Sequence, residues 1–116
     1  MAYIEHLAIR SEDPERLARY YETVFGWTRL RTGPGGGVHL TDGRINFAIL
    51  MPNGQPVGIE HFGVKIDSLD EVKSKLTGYD TAIGGRPAAR AAENRLSDPD
   101  GNQFDLSVKG FMGREG

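Results

Sequence analysis

The chain has 116 residues, with 14 lysines and arginines against 16 aspartates and glutamates for a net charge of −2, and it has no cysteine. That length suffices for one ordinary domain core, and the missing cysteines exclude disulfides, thiolate metal sites and iron–sulfur clusters, so any metal must use His, Asp or Glu. The near-neutral charge argues against nucleic acid as a partner. No apolar stretch is long enough to span a bilayer and the N-terminus has no signal-peptide pattern, so no membrane partner and a cytoplasmic setting are expected.

Taken in chain order, Tyr3 to Arg10 alternates strictly, with Glu5, Leu7 and Ile9 on one face and Ile4, His6, Ala8 and Arg10 on the other, and reads as a strand. A helix follows: Asp13 suits the N-cap, Pro14 the first helical position, and Leu17, Tyr20, Tyr21, Val24 and Phe25 keep helical spacing until Gly26. Trp27 to Arg31, Val38 to Thr41 and Ile45 to Met51 read as strands, separated by the Gly33 to Gly37 run and by a hairpin signal at Asp42-Gly43. The Gly33 to Gly37 run has neither a P-loop lysine nor a following helix, which makes it a hairpin loop rather than a phosphate cradle.

The same order then repeats. Glu60 to Ile66 reads as a strand, Ser68 and Glu71 form a capping box, and Leu69, Val72 and Leu76 mark a helix that runs to Gly78. Thr81 to Arg90 fits a loop or a poor strand, and in the final strand Phe104, Leu106 and Val108 are expected to face the helix. The repetition extends to residues: Ile4-Glu5-His6 recurs 55 positions later as Ile59-Glu60-His61. His39-Leu40-Thr41-Asp42-Gly43 parallels Arg95-Leu96-Ser97 with its own Asp98-to-Gly101 turn, and Asn46-Phe47 parallels Gln103-Phe104. The expected architecture is therefore α+β, a single domain over residues 1–116 built from two βαβββ half-modules, 1–55 and 56–116.

Alternation puts His6, His61 and Asp105 opposite the helix-packed faces of their strands. With the half-modules related by an approximate two-fold, the first strands meet at the centre, and two imidazoles and a carboxylate then make a facial triad with open positions for a bidentate oxygen ligand on Fe(II), Mn(II), Zn(II) or Ni(II). His39 and Arg95, at equivalent positions, are candidates for substrate contact, His39 also for proton transfer. Arg86 and Arg90 join Arg95 as arginines that an anionic substrate would meet, although a solvated charged stretch is the commoner reading of such a run.

The segments Ile4-Glu5-His6-Leu7-Ala8-Ile9, Tyr20-Tyr21-Glu22-Thr23-Val24-Phe25-Gly26-Trp27, Glu60-His61-Phe62-Gly63-Val64 and Asp98-Pro99-Asp100-Gly101-Asn102-Gln103-Phe104-Asp105-Leu106 resemble the vicinal oxygen chelate superfamily, over almost the whole chain. This superfamily includes glyoxalase I, extradiol dioxygenases, fosfomycin resistance proteins, an acyl-CoA epimerase and bleomycin-binding proteins. The resemblance implies a glyoxalase-like fold with a cupped mixed sheet, often in a homodimer, with a divalent metal on His6, His61 and Asp105 and a small-molecule substrate. The superfamily usually has glutamate where this chain has Asp105, which shortens the reach by about 1.5 Å, a large part of a metal–oxygen bond. The strand after Asn46 offers no carboxylate for the fourth ligand of glyoxalase I. The expected function is thus a metal-dependent dioxygenase, lyase or isomerase. The alternatives are a metal-free small-molecule or drug-binding protein of the bleomycin-resistance type, or a fosfomycin-type antibiotic-modifying transferase.

Overall fold

A computed structural model describes residues 1–79, 84–85 and 94–112. The chain divides into two compact units, one of His6–Glu60 and the other of Met1–Glu5 with His61–Gly116. Each unit follows the βαβββ plan.

In the first unit, β1 (Tyr3–Arg10, whose opening residues count with the other unit) is followed by α1 (Pro14–Phe25), β2 (Thr28–Thr32), β3 (Val38–Thr41) and β4 (Asn46–Leu50). β1 pairs parallel with β4, β4 antiparallel with β3, and β3 antiparallel with β2. The parallel pair needs a long crossover, and α1 supplies part of it. The helix starts where the sequence places it: the Asp13 side chain accepts the Arg16 N–H at 3.2 Å, and Pro14 follows at a position that needs no amide donor. It stops at Gly26, which sits at φ 71°, a left-handed geometry that glycine adopts without strain, and returns its N–H to the Glu22 carbonyl. Its inner face brings Ala18, Leu17 and Tyr21 against Val38, Leu40, Phe47, Ile49, Leu7 and Ile9. Tyr21 stacks on Trp27 with ring centres 5.1 Å apart and meets Phe47 edge-on. That stack accounts for β2 beginning at Thr28 rather than at Trp27, whose ring belongs to the core.

In the second unit, β5 (Gly58–Lys65), α2 (Leu69–Lys75), β6 (Gly84–Gly85), β7 (Asn94–Ser97) and β8 (Gln103–Ser107) repeat the plan. β5 runs parallel to β8, β8 antiparallel to β7, and β7 antiparallel to β6. Ser68 caps α2 by accepting the Glu71 N–H, while the Glu71 carboxylate turns toward Lys75. α2 ends at Lys75, earlier than the hydrophobic spacing predicts, because Leu76 already donates to Lys73 and Tyr79 to Leu76 in successive tight turns. Ile66, Leu96 and Leu106 form the core, with Val64, Leu69, Val72, Leu76 and Phe104 around it. Val108 corrects the predicted inward run, since β8 stops at Ser107 and Val108 is exposed. The chain turns there: Gly110 donates to Ser107 Oγ and Phe111 to Glu5 Oε1. Gly110 is favoured at that turn by its φ of 94°, a backbone conformation that residues with a Cβ rarely adopt.

The two β-hairpin turns differ from a two-residue Asp-Gly hairpin in the same way. Residues 42–45 form the first loop, with Asp42 Oδ1 accepting the Arg44 and Ile45 N–H groups. Residues 98–102 form the second, with Asp98 Oδ1 accepting from Asp100 and Asn102. In both, an aspartate side chain replaces the missing ladder bonds. The Gly33–Gly37 loop closes on itself through Gly33 N–H to Gly37 O at 2.7 Å. Of the Thr81 to Arg90 stretch, only Gly84–Gly85 lies among the described residues, and it forms a short strand.

Candidate functional site

β1 and β5 share one burial pattern residue for residue, and each carries a buried histidine, His6 and His61, in the fourth place. The strand registers extend the correspondence. Ala48 of β4 stands opposite Ala8 and His39, whereas Asp105 of β8 stands opposite Gly63 and Arg95. Asn46 and Gln103 are counterparts by the same registers, facing Thr41 and Ser97 respectively. Equivalent backbone positions thus carry different chemistry in the two units.

In the second unit the site is charged. His61 Nε2 lies 3.1 Å from Asp105 Oδ2, and Arg95 Nε donates to Asp105 Oδ1 at 2.7 Å. Arg95 also donates through Nη1 to Gln103 Oε1, near the surface. Burial is the largest single influence on the Asp105 carboxyl and pushes its pKa up, but the hydrogen bonds and positive charges of His61 and Arg95 together outweigh it and hold the pKa at about 2. Asp105 is therefore an acceptor-only carboxylate at neutral pH, with His61 Nε2 within hydrogen-bond distance of it.

The first unit is built from two imidazoles, an amide and one guanidinium. His6 Nδ1 lies 3.2 Å from both the backbone oxygen and Oδ1 of Asn46, and His39 Nδ1 lies 3.0 Å from the same Oδ1. Arg31 Nη2 reaches His39 Nε2 at 3.3 Å. His6, His39 and Asn46 are all buried. A backbone oxygen only accepts, so His6 carries a proton on Nδ1.

The donor chemistry of these residues fits a divalent ion. Two cis ligands with bonds of about 2.1 Å lie about 3.0 Å apart on an octahedral ion and about 3.4 Å apart on a tetrahedral one. The His61–Asp105 separation falls within that span. A ligating histidine commonly donates its second ring N–H to a carbonyl, as His6 does to Asn46.

Of the residues singled out in the sequence, the structure joins Asp105 to His61 and Arg95, and links His6 to His39 through Asn46. Arg86 and Arg90 lie outside the described residues. Asn46, Arg31 and Gln103 were not marked as site residues. A polar Asn46 at the head of the apolar run Phe47-Ala48-Ile49-Leu50 was the available signal for one of them.

A model of the glyoxalase-like domain family matches residues 6–107. The chain belongs to that family. The glyoxalase-like domain is part of the vicinal oxygen chelate superfamily, and solved structures agree on the fold. The 2,3-dioxygenase LapB from Pseudomonas sp. KL28 superposes with a TM-score of 0.73 at 18% identity, over 97% of this chain and 42% of the dioxygenase chain. The glyoxalase-like chain thus spans less than half the length of that enzyme. A hypothetical protein from Bacillus halodurans C-125 also gives 0.73, at 16% identity over 91% of this chain and 93% of its own. Methylmalonyl-CoA epimerase from Mycobacterium tuberculosis gives 0.66 at 16% identity over 90% and 85%. No curated protein sequence matches significantly. At these identities the likeness establishes the α+β fold. Among the described residues no helix is long and apolar enough to cross a membrane.

Proposed function

We propose that this glyoxalase-like protein is an enzyme of the vicinal oxygen chelate type that holds one divalent metal (Fe, Mn, Zn or Ni) on His6, His61 and Asp105. The reaction is a dioxygenation, lysis or isomerisation of a small molecule presenting two adjacent oxygens. The observation that carries this reading is the buried His61–Asp105 pair, two ligand-competent atoms 3.1 Å apart. His6 supports it from the repeated position in β1, with Nε2 as the lone-pair nitrogen of its neutral ring. When bound, the ion supplies Lewis-acid polarisation of substrate oxygens. Two neutral imidazoles and one carboxylate leave net positive charge for an oxyanion to meet. Arg95 holds the far oxygen of Asp105 and so fixes the carboxylate plane. It also adds positive charge beside the ligand and remains the candidate for substrate contact, since the two ring nitrogens of His39, the other candidate, are engaged by Arg31 and Asn46.

One observation favours a metal-free small-molecule-binding protein instead: both Asp105 oxygens already have partners, one in Arg95 and one in His61. Anaerobic calorimetric titration with Fe(II), Mn(II), Zn(II) and Ni(II) separates the two readings. One ion per chain is expected for the wild type, with loss of binding in His6→Ala and His61→Ala and binding kept or strengthened in Asp105→Glu, which restores the longer reach. Equally weak binding by the wild type and His61→Ala would move the assignment to metal-free binding.

The same proposal includes a cytoplasmic homodimer. Tyr20, Val24 and Phe25 leave apolar surface exposed on α1 that a second copy would cover. Sedimentation at micromolar concentration is expected to give twice the 12.7 kDa chain mass. A single-chain mass with no concentration dependence would contradict the dimer.

A further inference from the structure

We propose that Asn46 is a positioning residue whose backbone oxygen and Oδ1 fix the ring tautomer of His6 before any ion arrives, while Arg31 fixes that of His39, which shares the same Oδ1. The benefit to a metal rests on the reading of His6 as a ligand, whereas the lock itself stands on the first unit alone.

Asn46 sits on β4 opposite His6 of β1 and Thr41 of β3, wholly buried. Two atoms of fixed hydrogen-bonding sense determine the arrangement around it. The Arg31 guanidinium can only donate, so His39 Nε2 accepts from it at 3.3 Å. A neutral ring that accepts at Nε2 carries its proton on Nδ1, and His39 Nδ1 therefore donates to Asn46 Oδ1 at 3.0 Å. At the other end the backbone oxygen of Asn46 can only accept, so His6 Nδ1 is the donor there at 3.2 Å and shares its proton with Oδ1.

One amide oxygen thus takes N–H groups from two imidazoles, using both lone pairs. Rotating the amide would bring its NH2 against two N–H donors inside a buried site, a cost that keeps Oδ1 where it is. His6 in its neutral form consequently presents its Nε2 lone pair with no ring flip and no proton to lose. Among the described residues of the second unit, the counterpart amide plays no such part. Gln103, the counterpart of Asn46, is exposed and engages Arg95, while His61 points Nε2 at Asp105. His39 in this scheme is a positioning residue too, its two nitrogens committed to Arg31 and Asn46.

The test is ring-nitrogen NMR on the metal-free protein at about pH 8, above the ordinary imidazole range, with the two rings assigned through His6→Gln and His39→Gln. Both His6 and His39 are expected to show protonated Nδ1 and bare Nε2. Protonated Nε2 on either ring overturns the lock. Arg31→Met, at a partly exposed side chain, is expected to let His39 mix its tautomers while His6 keeps its own. An unmoved His39 would contradict the chain of donation. Asn46→Asp keeps the acceptors and is expected to keep both tautomers. Asn46→Ala removes the acceptor of His39 and is expected to weaken Ni(II) binding about 10-fold, the low end of what a group supporting a ligand contributes. Unchanged Ni(II) affinity in Asn46→Ala would refute the positioning role. If the wild type shows both expected tautomers yet binds no Ni(II), the lock stands and the metal-dependent function fails.

Discussion

The two units solve one structural problem with opposite chemistry. Both bury a histidine at the fourth residue of a first strand, and both back it with the strand that pairs parallel to it. In the first unit the backing is an amide and a second imidazole, Asn46 and His39; in the second it is an ion-paired carboxylate, Asp105 with Arg95. The difference lies in three pairs of counterparts: Ala48 and Asp105, His39 and Arg95, Asn46 and Gln103. A duplicated backbone thus fixes where polar groups can be buried, while the residues at those places decide whether the result is imidazoles gathered on an amide or an imidazole and a guanidinium gathered on a carboxylate. Charge makes the second unit the more sensitive to acid and to truncation, because a buried ion that loses its partner costs more than a neutral donor that does.

The largest effect should come from making the second unit resemble the first at Ala48. Asp105→Ala leaves Arg95 and His61 without their shared acceptor and is expected to cost about 3 to 5 kcal/mol in urea unfolding. A loss below 1 kcal/mol would show that water replaces the carboxylate without penalty. Acid probes the same residue. Its folded pKa of about 2 lies below the unfolded value of about 3.9. Its contribution, on the order of 2 kcal/mol, is therefore fully present above pH about 3.9 and lost as the pH falls toward 2. The acid limb of the stability profile should be shallower in Asp105→Ala, and identical limbs would break the assignment. The smallest effects test the amide counterparts. Asn46→Ala leaves a buried imidazole N–H unsatisfied and is expected to cost about 1 to 3 kcal/mol. Gln103→Ala, at the surface, should stay within about 0.5 kcal/mol. Equal costs would show that burial does not separate the two positions.

Much of this arrangement is legible in the chain itself. The repeat of Ile4-Glu5-His6 as Ile59-Glu60-His61 survives as an identical burial pattern, and the alignment of His39 with Arg95 and of Ala48 with the Asp105 position survives as strand register. These survive because strand periodicity is rigid: one residue of slip would turn every side chain to the other face. What periodicity does not carry is the reach of a side chain. Asn46 was visible as a match to Gln103, yet nothing in the pattern says that its oxygen meets two rings. Nor does it say that Arg95 turns back onto Asp105. The hairpin signal at Asp42-Gly43 is legible too, but that the Asp42 side chain accepts the Arg44 and Ile45 amides is not. Val108 failed as an inward residue because alternation says nothing about where a strand stops, which the Ser107–Gly110 contact decides.

The central claim, that His6 and His61 serve one metal with Asp105, is tested most directly by X-ray absorption on protein loaded with one equivalent of Ni(II), which counts the imidazoles bound to the ion. The account predicts two imidazoles in the wild type and one each in His6→Ala and His61→Ala where any ion remains bound. A wild-type spectrum with one imidazole or none would contradict it.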